Sequence, residues 1–106
     1  MAGTMHLVQL LLPLYDNDGN KFTAKQFAQV RDELVQRFGG ITAHTQAPVK
    51  GLWQADDATT VHDELVIFEV MVDGVDEDWW TRYRKELEKR FRQESLVVRA
   101  HAIFTL

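Results

Sequence analysis

The run Leu65-Val-Ile-Phe-Glu-Val-Met-Val72 is the most apolar β-type stretch of the chain, and it carries one acid, Glu69. Its even positions, Val66, Phe68, Val70 and Val72, are all apolar, and its odd positions, Leu65, Ile67, Glu69 and Met71, are apolar except for that acid. A strand that is apolar at both parities is covered on both faces, so the run predicts a central strand, bounded by Asp63 and by Asp73-Gly74. A carboxylate inside it requires partners, water or a task, because an unpaired buried charge is expensive or neutralises itself.

Around that strand the remaining elements fall in a legible order. Residues 5–12 predict a strand, followed by the turn sequence Asp16-Asn-Asp-Gly-Asn20, rich in residues that tolerate left-handed backbone. Thr23 opens a helix, with Gln26 completing a capping box and Phe27, Val30, Leu34 and Phe38 at helical spacing. Gly39-Gly40 ends it, and 41–46 forms a weaker strand carrying Thr42, His44 and Thr45. Residues 47–62 contain Pro48 and Gly51 and read as an irregular loop or an extra short hairpin built on 49–54. After the Glu69 strand, Asp76 caps a second helix with an apolar stripe of Trp80, Tyr83, Leu87 and Phe91, and 96–104 closes the chain as a strand. Residues 1–4 are expected to be flexible, and 1–106 is expected to be one domain, since this length supports one core and not two.

The order β-α-β-β-α-β predicts a ferredoxin-like α+β sandwich, a four-stranded antiparallel sheet with two helices on one face. In that arrangement the first and third strands are central. The even positions of all three strong strands are apolar, adding Val8, Leu10 and Leu12 and then Leu96, Val98, Ala100, Ala102 and Phe104, so the helices are assigned to the even face. The two alanines are expected to let a helix approach closely. The odd face presents Leu7, Gln9, Leu11, Leu65, Ile67, Glu69, Met71, Val97, Arg99, His101 and Ile103, and is too apolar to be left in water. The cheapest cover is a second copy related by a two-fold axis. In element order and face composition the chain resembles the dimeric α+β barrel group of the ferredoxin-like fold. That resemblance implies a homodimer closed sheet to sheet, and the group includes cofactor-free and heme-degrading monooxygenases, lactone isomerases and stress-responsive barrels. The heme-degrading members use an Asn, a Trp and a helical His, and neither predicted helix here contains a His, so no catalytic residue is carried over and no cofactor is implied.

The local chemistry nominates its own candidates. Neighbouring strands lie about 4.8 Å apart, so Gln9 would sit between Glu69 on one side and Arg99 or His101 on the other. Glu69 and His101 are candidate proton-exchanging groups, and Gln9 and Arg99 candidate substrate contacts in an otherwise apolar hollow. Trp53, after Gly51-Leu52, is a candidate lid over the same face, an arm on the second subunit, or simple turn packing. The competing reading makes the domain a non-catalytic dimerising module, in which Glu69 and Arg99 pair across Gln9 and only fix the register of two sheets. Whether the protein is an enzyme stays open at this level.

Several chemistries are disfavoured. The chain has no cysteine, hence no thiolate site, which fits a reducing, cytoplasmic compartment. His44, His62 and His101 with Glu69 or Asp63 lack ligand-like spacing, so no metal site is expected. The single serine, Ser95, falls in a turn, and no Gly-rich phosphate loop is present. The apolar stretch 6–15 is too short to span a bilayer and has no basic flank. Net charge is −4, with nine acids and no Lys or Arg across 51–78, and six basic residues across 82–92. Those bases alternate with Glu86 and Glu88 near the end of a helix, so helix electrostatics is favoured over a nucleic-acid surface.

Overall fold

Alternation along the strands becomes two chemically distinct sheet faces in the computed structural model, which describes residues 3–46 and 64–106. The elements are β1 (Gly3–Pro13), α1 (Ala24–Phe38), β2 (Thr42–Gln46), β3 (Leu65–Val72), α2 (Glu77–Arg90) and β4 (Val97–Thr105). All pairings are antiparallel, in one four-stranded sheet ordered β2-β3-β1-β4. This is the ferredoxin-like α+β sandwich, with the first and third strands central as the element order predicts. β1 begins at Gly3, so Gly3 and Thr4 are strand residues. The predicted loop or hairpin over 47–62, with Trp53 and His62, and also Asp63, lies outside the described residues.

Local signals set the helix limits. The Thr23 hydroxyl accepts from the Gln26 amide while the Gln26 side chain accepts from the Thr23 amide, at 3.3 and 3.0 Å, and Gly39 ends α1 at φ 89°. Only glycine adopts that left-handed backbone without steric cost. The Asp76 carboxylate caps α2 by accepting from Trp79 N–H at 3.1 Å, with Glu77 and Asp78 in the first turn and Lys89 and Arg90 in the last.

The core lies between the even face and the helices. Val8, Leu10, Leu12, Phe68, Val70, Val72 and Leu96 are buried against Val30 and Leu34 of α1, Trp80 and Leu87 of α2, and Phe22 and Phe91. Phe91 closes one end edge-on to Phe22, and Trp80 stacks on Phe38 at the other, with ring centroids 5.0 and 5.2 Å apart. Trp79 is also packing: it lies against Phe38 and Tyr83, and the Arg37 guanidinium sits 4.3 Å from its ring centre.

The helices are joined by a polar clamp. Arg90 donates two hydrogen bonds to the Glu33 carboxylate, at 2.7 and 3.0 Å, and the Tyr83 hydroxyl donates a third at 2.8 Å. Burial acts to raise the Glu33 carboxyl, but the bonds from Arg90 and Tyr83 outweigh it and hold the group below its ordinary 4.5. Burial and the adjacent carboxylate push the Tyr83 phenol well up, and Glu33 keeps Arg90 firmly protonated. Arg90 also meets Glu86, and Arg84 meets Glu88, so much of the basic cluster is neutralised within or between helices.

One expectation about β4 is corrected. Ala100 and Ala102 do not bring a helix close: both are exposed, and Phe104 is 68% exposed. The part of β1–β4 that runs beyond β3 is only 3–5 with 103–105, which accounts for Phe104; Ala100 and Ala102 pair with Val8 and His6 inside the sheet and are left exposed because β4 is an edge strand. The odd face is also uneven. Met71 and Val97 are half exposed, whereas Ile67 is only 4% exposed. No described helix is long and apolar enough to cross a membrane.

Candidate functional site

A single row of register partners crosses the odd face. Gln9 on β1 faces Glu69 on β3 and Arg99 on β4, and Glu69 in turn faces Thr42 on β2. The Gln9 amide nitrogen donates to Glu69 Oε2 at 2.6 Å, and Arg99 Nε donates to Gln9 Oε1 at 2.9 Å. An amide with a carboxylate on one side and a guanidinium on the other has one orientation that satisfies both, nitrogen to the acid and oxygen to the base. Gln9 is thereby locked, and it links the two charges into a line.

Each member is placed by strand parity. Glu69 is the one acid among the odd residues of β3, so burying the even face turns it outward, and the register with β1 sets it beside Gln9. Glu69 and Gln9 are partly buried and Arg99 is exposed, so the line runs from a sheltered acid at the sheet centre to a solvated base on the edge strand. Leu7, Leu11 and Leu65, partly buried, and Met71 and Val97 give it an apolar surround. A charge-assisted hydrogen bond at this distance is strong, and it holds the carboxylate at a fixed position on that surface.

His101 is not in the row. It faces Leu7, one pleat repeat from Arg99, or about 7 Å along the strand, and it is exposed. The choice left open by the sequence, Arg99 or His101 beside Gln9, is therefore decided for Arg99. Thr42 is the member that sequence reasoning did not name. The alternation of β2 is too weak to fix its face, and only the register with β3 places Thr42 beside Glu69. His44 is in register opposite Ile67. Trp53 lies outside the described residues, as do His62 and Asp63. Among the described residues no group of three His, Asp or Glu side chains is arranged to hold a metal.

Chemically, the row offers an oriented hydrogen-bond acceptor, an amide and a cation on an apolar sheet. That set can grip a ligand bearing ammonium or hydroxyl donors, and it can accept a proton. The chain matches no protein-family model, and no curated protein matches it. Among solved structures it is similar to a phage SAM lyase in complex with S-methyl-5'-thioadenosine, with a TM-score of 0.61 and 16% identity over 95% of this chain and 88% of that one. At that identity the likeness is one of fold.

Proposed function

We propose that the open face is the binding site of a cofactor-independent enzyme, that a second copy of the chain covers it, and that its substrate is S-adenosylmethionine, cleaved to S-methyl-5'-thioadenosine. The observation that carries this reading is the hydrogen-bonded carboxylate of Glu69 on an apolar sheet face that neither described helix covers. The fold neighbour supplies the substrate class: it is a SAM lyase with that thioether bound. The chemistry suits the surface. When the C–S bond breaks, its electron pair leaves with sulfur and a cationic sulfonium becomes a neutral thioether, so an apolar surround disfavours the substrate's charge more than the product. The carbon left behind takes a pair either from the substrate's own carboxylate, closing a ring, or from a neighbouring C–H bond whose proton passes to a base. Glu69 serves the first route by holding the substrate's ammonium or ribose hydroxyls, and the second by accepting the proton; Gln9 and Arg99 fix it for both.

A second reading has its own support. The line from Glu69 through Gln9 to Arg99 is hydrogen-bonded within one chain, which suits a residue set that only registers two sheets in a dimer. Chromatographic assay for S-methyl-5'-thioadenosine, run on the wild type and on Glu69→Gln, separates the two. The enzyme reading expects thioether release that falls at least about 100-fold in the variant, in line with loss of a positioned catalytic group, while the subunit number by light scattering is unchanged. No thioether and no binding of it by calorimetry would defeat the enzyme reading. A variant that falls apart into monomers would favour the dimerising module.

A further inference from the structure

The exposed alanine of β4 has a consequence on the opposite side of the sheet. Where Ala100 fails to fill the space beneath α2, a cleft of about 460 Å³ opens between that helix and the β4 edge. Its floor is apolar, made by Val8 and Val98 with Ala100, and its far wall is the side of α2 that carries Glu77, Thr81 and Arg84. Those three stand at i, i+4 and i+7, so they form one stripe along the helix. Beside the buried Trp80, which also borders the cleft, α2 presents an acid, a hydroxyl and a base in order.

Two of the cleft's polar groups are held in place from behind. Arg84 donates to Glu88 at 2.8 Å, and the same Glu88 oxygen accepts from the Leu96 amide at 3.0 Å, so the guanidinium is anchored while its remaining N–H groups are available to the cleft. His6 Nδ1 lies 3.2 Å from the Asp73 carbonyl, which can only accept, so in the neutral imidazole Nδ1 carries the proton and Nε2 is the acceptor. An acid at one end and an anchored base at the other lie seven residues apart on the helix, about 10 Å along its axis. The ammonium and carboxylate of an α-amino acid are too close together to reach both.

We propose that this cleft binds an elongated zwitterion of the ω-amino acid or dipeptide class, its carboxylate on Arg84, its ammonium between Glu77 and His6, and its apolar middle on Val8, Val98 and Ala100. The cleft is on the helix side, so a second copy seated on the open face leaves its α2 wall accessible; Arg99, at the β4 edge, is the one residue that lines the cleft and also belongs to the open-face row. The test is an amide NMR titration of the full chain with 6-aminohexanoate, with hexanoate and hexylamine as single-ended controls. Saturable shifts are expected at Thr81, Arg84 and Ala100, with each control at least about tenfold weaker, the cost of one charged hydrogen bond. Ala100→Leu, which fills the cleft from an exposed position, is expected to abolish those shifts, and Arg84→Gln to weaken binding to 6-aminohexanoate while sparing hexylamine. The proposal is overturned if no saturable shift occurs, if the shifts map to Gln9 and Glu69, or if Ala100→Leu binds as the wild type does.

Discussion

Replacing Glu33 by Gln isolates the interhelix clamp without changing its size. The wild-type carboxylate accepts two hydrogen bonds from Arg90 and one from Tyr83. The amide keeps one oxygen acceptor, loses the charge, and turns an NH2 group toward donors. Charge-assisted hydrogen bonds net about 1.5–3 kcal/mol where they are sheltered. The side chains of Glu33 and Arg90 are 35% and 26% exposed, so solvent screening brings the expected loss down to about 1–2 kcal/mol. For a chain of this size that is a fall in Tm of about 4–12 °C, read by circular dichroism. The pH dependence gives the sharper test. The folded-state value of Glu33 lies below its ordinary 4.5, so the folded protein favours the ionised form. Its contribution is complete above the unfolded value and is lost as pH falls through the folded one. The wild type and Glu33→Gln should therefore differ most at neutral pH and converge in acid. If the two stability curves stay parallel from neutral pH to well below 4.5, the carboxylate is not what the clamp depends on.

Two changes elsewhere probe the parity argument and the helix stop. Leu10→Ala removes a side chain with no exposure from the middle of the even face and should cost about 2–5 kcal/mol in denaturant unfolding, whereas a loss below about 1 kcal/mol would mean the sheet is not packed there. Gly39→Ala forces a side chain into left-handed backbone at φ 89° and should destabilise by about 1–2 kcal/mol; since nothing lies within 4 Å of the added methyl, an unchanged Tm would refute the conformational explanation directly.

Much of the fold was legible because its determinants are local and periodic. Thr23 with Gln26, Gly39 and Asp76 each fix a helix end through their own hydrogen bonds, and β3 matched its predicted bounds because its apolar run is sharply flanked. Parity carried the candidate site. Three strands of known face were enough to put Gln9 between Glu69 on one side and Arg99 or His101 on the other. What parity cannot supply is register along the strand, and that is where the reading stopped: His101 shares a face with Arg99, and only the pairing with Leu7 moves it out of the row. Thr42 was missed for a related reason, because an edge strand of five residues with mixed polarity does not declare which side is inward.

The alanines of β4 show how the same pattern can be read correctly for face and wrongly for contact. Their even numbers do place them on the helix side. Small size implies a close helix only on the rule that cores leave no voids. That rule applies only where a second element covers the residue, and here Ala100 and Ala102 stand exposed on an edge strand. A small residue under a helix closes a gap, whereas a small residue beside one opens a cleft. The distinction depends on where the strand lies in the sheet. It also bears on the polarity of the wall: the cleft is open to water, and Glu77 and Thr81 are exposed there, so their polar groups keep their solvation.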